Sequence, residues 1–287
     1  MDKLDDILKR ATKEHWSTGH FNISNLEQLK AIISAAEELR SPIIIGLSEG
    51  ERKFFGIRQA VEMVKIVREE SKLPVFLNPD HSSSVDLAKE AFDAGFDSVH
   101  IDLSKLSLTE NIEGTKEVVD YVKSKNSDVS VEGELSYLPG ESKIQKEVIE
   151  IKPEDMTKPE EAQEFVSKTG IDRFAGVYGN LHGIAANVPN LDIERIKETR
   201  KLLSENVSLV LHGGSGIADE EMKQAINAGI ANIHINTDIR IAFTETLRKE
   251  LDTTDEVAPY KIMPSAIEAV KNKVKEKLEL FGSVNRN

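Results

Sequence analysis

Eight short runs of β-branched and aliphatic residues recur along the chain, each followed by a longer amphipathic stretch. This alternation restricts the fold more than any other feature. The runs are GHFNIS (19–24), PIIIGLS (42–48), PVFLN (74–78), SVHIDLS (98–104), VSVEGEL (129–135), RFAGVYG (173–179), VSLVLHG (207–213) and NIHINTD (232–238). Most are too continuously apolar to have one wet face, as expected of parallel strands covered on both sides. Between them NLEQLKAIISAAEEL (25–39), RQAVEMVKIVREE (58–70) and DEEMKQAINAG (219–229) carry a helical period. Asn25, Asp86, Thr109 and Asp192 are the expected N-caps, and Gly95 and Gly229 the expected helix stops. Eight such units with no break in composition predict one α/β domain over 1–287, a single (β/α)8 TIM barrel. Two segments fall outside the repeat. Residues 136–159 are charged and aperiodic and predict a mobile active-site loop. The tail from Pro264 to Phe281 predicts an additional C-terminal helix closing the chain.

Composition narrows the function. The formal charge of −13 argues against nucleic acid or anionic membranes as partners, so an anionic ligand must be captured by local features. The absence of cysteine removes disulfides, thiolate ligands and a cysteine nucleophile. No stretch reaches the roughly 18 apolar residues of a membrane span, and the N-terminus lacks the apolar run of a signal peptide. A cytoplasmic enzyme is the expectation.

In such a barrel the chemistry lies at the C-terminal ends of the strands. Strand three runs into Asp80-His81, strand four into Asp102 and Ser104, and strand five carries Glu132 and Glu134. Strand six leads to GNLHG with His182, strand seven to HGGSG with His212, and strand eight to Asn236-Thr237-Asp238. Each histidine alone reads best as a structural, hydrogen-bonded residue. Three on one rim, His81, His182 and His212, read instead as a catalytic zinc site with an open position for a substrate oxygen. His15 reads as a surface residue, and His20 and His100, inside strands, as packed within or behind the barrel. A glycine turn alone reflects dihedral needs. Beside a metal site, Gly213, Gly214, Gly216 and Ser215 read as an anion cradle, aided by the helix starting near Asp219. Asp80 reads as a general acid/base, with orientation of a histidine as its alternative. Glu134 reads as a metal ligand when substrate is absent; Glu132 lies on the same strand face, and one of the pair reads as supporting the ligands or as structural alone.

The motifs DHSSS, SVHIDLS, VEGEL, GNLHG, LVLHGGSG and INTD, with the opening HFNISNLEQLKAIISAAEE and the closing VKEKLELFGS, resemble the class II fructose-bisphosphate aldolases and their tagatose-bisphosphate relatives. The resemblance spans nearly the whole chain. It implies zinc on His81, His182 and His212, with Glu134 an alternate ligand. Asp102 falls where these enzymes place a carboxylate near a second metal or monovalent cation. It implies Asp80 as the acid/base at the C4 hydroxyl, and Gly183, Gly213, Ser215, Asn236 and Thr237 around the phosphate of dihydroxyacetone phosphate. Glu141 is the loop glutamate that exchanges the C3 proton. The implied reaction is reversible cleavage of a ketose bisphosphate, fructose 1,6-bisphosphate first, through a zinc-stabilised enediolate in a homodimer or homotetramer.

Departures from the family pattern bear on the substrate more than on the metal. Asn78-Pro79-Asp80-His81-Ser82 stands where His-x-Asp-His-Gly is common, and Ser136 replaces a usual glycine. The lysine usual after the HG of strand six is missing from HGIAANVPN, and His234 takes the place of a triose-contacting asparagine. Another phosphorylated sugar or sugar acid is therefore the alternative substrate. Rival readings are a lysine Schiff-base aldolase, with Lys105 the nearest candidate, a non-catalytic sugar-phosphate binder, and a hydrolase using zinc-bound water. Arg58, Arg240 and Lys261 are equal candidates for a distal phosphate.

Overall fold

The fold is taken from a computed structural model describing residues 3–187 and 190–287; Val188 and Pro189, near the end of HGIAANVPN, lie outside the described residues. Its strands are β1 (Thr18–Asn22), β2 (Ile43–Leu47), β3 (Val75–Pro79), β4 (Ser98–Ile101), β5 (Ser130–Glu134), β6 (Gly140–Ile144), β7 (Arg173–Ala175), β8 (His182–Ile184), β9 (Ser208–Leu211) and β10 (Ile230–Ile235). Its helices are α1 (Leu4–Glu14), α2 (Leu26–Leu39), α3 (Glu49–Phe55), α4 (Ile57–Ser71), α5 (Val85–Ala94), α6 (Leu108–Lys125), α7 (Pro159–Thr169), α8 (Ile193–Leu202), α9 (Asp219–Asn227), α10 (Thr237–Thr253) and α11 (Pro259–Leu280).

Eight parallel strands form one sheet in the order β3-β2-β1-β10-β9-β7-β5-β4. The two edges meet just past β3, where Ser82 N donates to His100 O (3.1 Å) and Asp102 N to Ser82 O (2.9 Å). The sheet thus closes as the predicted (β/α)8 barrel. Aliphatic side chains of the strands meet the helix ring in one continuous core. A second cluster, with Ile44, Phe76 and Ala231 inside the barrel and Leu4, Ile7, Leu8, Ala11 and Trp16 below, is α1 stoppering the N-terminal end.

Several local expectations are corrected. The caps of α5 and α6 are Ser84 and Ser107, whose hydroxyls accept from Leu87 N and Glu110 N. Asp86 and Thr109 fall instead within the first turns, where Asp86 favours the positive helix end. Asn25 and Asp192 cap as read, Gly95 ends α5, and Gly229 follows α9 with Ala228 as its C-cap. The closing helix starts five residues earlier, at Pro259, whose fixed φ suits a first helical position. Pro264 lies inside it and gives up one backbone bond. The segment 136–159 is not aperiodic throughout: Gly140 and Ile144 pair with His182 and Ile184 in a two-stranded parallel ribbon.

Helix α11 buries Ala266, Val270, Val274 and Leu278 against the barrel wall. Leu278→Ala is expected to cost about 2–5 kcal/mol. Asn272→Ala, on the exposed side of the same helix, should stay within about 0.5 kcal/mol. Urea midpoints of the two variants check the difference.

Candidate active site

A cavity of about 250 Å³ opens at the C-terminal rim of the barrel. Asp80 and His81 both line it, although neighbours on a strand point to opposite faces. His81 resolves this by adopting the left-handed conformation (φ 51°), at a cost of about 1–2 kcal/mol for a non-glycine residue. The bend is held by His81 N donating to His100 Nδ1 (3.0 Å) and Arg52 Nη2 donating to His81 O (3.4 Å).

The rings of His81, His182 and His212 line the same cavity as near neighbours. Their centroids are 4.9 Å (81–182), 4.7 Å (81–212) and 6.3 Å (182–212) apart. Imidazoles sharing a tetrahedral ion at Zn–N distances of about 2.0–2.1 Å have centroids roughly 5 Å apart, so one separation is wider than ideal. His81 Nε2 is buried without a hydrogen-bond partner. Burial, and then the neighbouring His81, hold His182 down to a pKa of about 3. Burial, and then His234, hold His212 to about 4. Both are neutral donors at physiological pH. Burial opposes a charge on His81, but Asp80, Glu134 and Asp102 outweigh it and raise its pKa to about 10.

Ligand atoms crowd more tightly in other combinations: His81/His100/His212, His20/Asp80/His234, Glu132/His212/His234 and His81/Asp102/Glu134. Most of these are already committed. His100 Nδ1 accepts from His81 N, and its Nε2 lies 3.4 Å from Glu134. His20 and His234 stack 3.5 Å apart at 4°, so no ion can lie in both ring planes, where the lone pairs are. His212 Nε2 is engaged by Glu132 Oε1 at 2.7 Å, leaving Nδ1 free. Asp102 Oδ2 faces His81 Nδ1 at 2.9 Å, and its Oδ1 accepts from Ser104 N and Oγ. Glu134 lies 3.3 Å from the same His81 nitrogen, so His81, Asp102 and Glu134 form one of the groups that could hold an ion.

Asp80 is buried, and each of its oxygens has a partner. Asn22 Nδ2 donates to Oδ2 (2.9 Å), and His234 Nδ1 faces Oδ1 (3.1 Å). Burial favours its neutral form, but His81 and His234 outweigh burial and keep it ionised well below the usual carboxylate range. His234 is thus tied to the carboxylate rather than free for a triose.

Below these residues the barrel interior is polar, where branched aliphatic layers are usual. Arg173 Nη1 lies 2.6 Å from Glu132 Oε2, its Nε donates to Ser130 Oγ (3.1 Å), and Nη2 donates to Asn78 Oδ1 (3.0 Å). Asn78 Nδ2 in turn meets His20 Nε2 at 3.2 Å. His20 and His100 therefore sit inside the barrel, and His15 is exposed at the end of α1.

The opposite side of the cavity carries a glycine turn and the start of a helix. Gly213, Ser215, Asn236 and Thr237 line it, so the helix presenting its N-terminus is α10 and not α9 as read from the sequence. Gly183 (φ 85°) sits where a side chain would run into the carbonyls of Glu141 and Lys143. Glu141 lies at the mouth, 72% exposed and paired with Lys143 (2.7 Å).

Of the three candidate cations only Arg240 reaches the cavity, with Nη2 2.7 Å from Glu51 Oε1 and Nη1 donating to Ser142 O. Arg58 is exposed on α4, and Lys261 pairs with Glu256. No lysine lines the cavity among the described residues, and Lys105 lies exposed over the Tyr137 ring, which removes the basis for a Schiff-base reading. Asn22 and Ser48 were missed, although the strand-end rule applied to strands one and two points to both. Arg173 was missed as well; a lone cation opening a buried strand was its signal.

A family profile described as Fructose-bisphosphate aldolase class-II matches residues 2–286. The fructose-bisphosphate aldolase of Geobacillus stearothermophilus is 38% identical over 286 residues, covering 98% of this chain and 96% of that protein. That of Staphylococcus aureus (strain Mu50) is 38% identical over 287 residues, covering 99% and 98%. Among solved structures, the YdjI aldolase from Escherichia coli K12 matches with a TM-score of 0.85 and 33% identity, over 98% of this chain and 97% of that one. By profile, relatives and fold together, this chain belongs to the class II fructose-bisphosphate aldolases, a family of metal-dependent carbon–carbon lyases.

Proposed function

We propose that the protein cleaves a ketose bisphosphate reversibly, fructose 1,6-bisphosphate first, to dihydroxyacetone phosphate and an aldehyde. The observation that carries this reading is the presence, in one cavity, of three neighbouring imidazoles, a carboxylate held by two donors, and a helix N-terminus beside a glycine turn. Zinc is the ion that suits three neutral imidazoles, here His81, His182 and His212, with Glu134 and Asp102 beside them for substrate-free ligation or a second cation. When bound, it supplies Lewis-acid polarisation of the substrate carbonyl.

The chain's own groups do the rest. Gly183, Gly213, Ser215, Asn236 and Thr237 hold the triose phosphate, and Arg240 takes the distal phosphate in exchange for Glu51. Asp80 accepts the C4 hydroxyl proton as the C3–C4 bond breaks; the bonding pair stays with the triose half and the aldehyde leaves. Glu141, at the mouth, returns a proton to C3. His234 supports a second reading of the substrate. Its ring is engaged by Asp80 where an asparagine would be free, which favours tagatose 1,6-bisphosphate or another phosphorylated sugar or sugar acid with different C3 and C4 demands.

A cleavage assay across fructose and tagatose bisphosphates and their monophosphates ranks the substrates. Activity should vanish with EDTA and return with Zn2+; activity that survives complete metal removal sinks the proposal. Asp80→Asn should lower kcat by about 10²–10⁴-fold while the protein keeps its metal. Arg240→Ala should raise KM for the bisphosphate and leave monophosphate kinetics nearly unchanged.

Metal binding should also release a proton. His81 in the metal-free protein stays protonated up to about pH 10, and a ligand must lose its proton to bind. Apparent affinity should then climb about tenfold per pH unit between pH 7 and 9. Calorimetry in buffers of different ionisation enthalpy reads the proton count directly, and a count near zero would contradict it.

A further inference from the structure

We infer that Arg173, out of reach of any substrate, is a positioning residue that fixes the orientation of His212 through Glu132. The inference rests on the reading that His212 is a metal ligand.

Arg173 is 0% exposed, and its guanidinium reaches two other strands, with three partners in all. It pairs with Glu132 on β5, donates to Ser130 on β5 and to Asn78 on β3, and itself starts β7. Glu132 and Arg173 are direct neighbours across the β5–β7 pairing. Stability alone gives no reason for such a pair, since well-packed apolar residues in its place are often as stable or more so. Positioning does give one.

Glu132 has two oxygens and several suitors. Arg173 occupies Oε2, which leaves Oε1 to accept from His212 Nε2 at 2.7 Å. Two other imidazoles stand close: His100 Nε2 is 3.8 Å from Oε1 and His234 Nε2 is 4.0 Å from Oε2. A carboxylate released from the fork can turn toward either one. The fork therefore sets the carboxylate plane, and the carboxylate, by engaging Nε2, sets the orientation of the His212 ring that lines the cavity. Lysine keeps the charge but offers one point where arginine offers a planar fork on three partners.

The test uses the metal-free full chain as wild type, Arg173→Lys, the charge-neutral double variant Arg173→Met/Glu132→Gln, and His212→Ala. Each is titrated with Co2+, whose visible d–d bands report coordination geometry, and with Zn2+ against a chromophoric chelator; the unfolding temperature of the metal-free form is recorded alongside. Arg173→Lys should bind Zn2+ about 10–100-fold more weakly, the usual effect of losing a group that orients a ligand. Its Co2+ bands should shift while it remains folded. If Arg173 only neutralises Glu132, lysine suffices, and affinity within twofold of wild type with unchanged bands overturns the inference. Should Arg173→Lys fail to fold, the double variant, which leaves no buried charge unpaired, is read the same way. Wild-type affinity and bands in His212→Ala would overturn the ligand reading itself, and the inference with it.

Discussion

A carboxylate at the dry centre of a barrel is tolerable only with a cation against it, and Glu132 with Arg173 is that pairing. Burial pushes the Glu132 carboxyl up, but Arg173, His100 and the bond to His212 more than reverse this. Removing one partner of such a pair costs about 3–5 kcal/mol, because the other charge is left stranded. Two chains of contact leave the same guanidinium. One runs through Glu132 to His212. The other runs through Asn78 to His20, whose ring stacks on His234, which in turn reaches Asp80. Gly46 makes room for the second chain, since any side chain there would overlap the His20 ring. His212 and Asp80, on two sides of the cavity, therefore share one buried anchor.

How much of this the sequence made visible follows from what each feature depends on. The barrel was legible because burial on both faces writes itself into consecutive residues, as in PIIIGLS and VSLVLHG. The rim residues Asp80, His81, His182 and His212 were legible because strand ends can be read one strand at a time. The Glu132–Arg173 pair was not, because it joins residues 41 positions apart through barrel register, which no linear period encodes. Arg240, Arg58 and Lys261 look alike as side chains, and only the placement of α10 brings one of them to the cavity. Helix starts were misread by two residues where a serine preceded a more conspicuous Asp or Thr. The backbone made that choice, through the capping bonds of Ser84 and Ser107.

Charge is organised locally against the overall balance. The chain carries −13, yet the cavity offers the positive end of the 17-residue helix α10 and Arg240. The acidic groups beside them are each engaged: Asp80 by Asn22 and His234, Asp102 by His81 and Ser104, Glu51 by Asn22 and Arg240. The carboxylates nearest the cavity's donors are thus already spoken for.

The ribbon of β6 and β8 has a consequence for how this enzyme can diversify. His182 N donates to Pro139 O (2.8 Å), and Gln145 Nε2 donates to His182 O (2.8 Å). The loop carrying Glu141 and the strand carrying His182 are thus stitched into one piece. Loops on a barrel rim are ordinarily interchangeable parts, free to vary while the scaffold stays fixed. Here the segment carrying Glu141 cannot be exchanged without re-seating the His182 imidazole across the cavity. Recombination between relatives, natural or in the laboratory, must move residues 136–146 and 180–186 together, which makes them a single heritable unit.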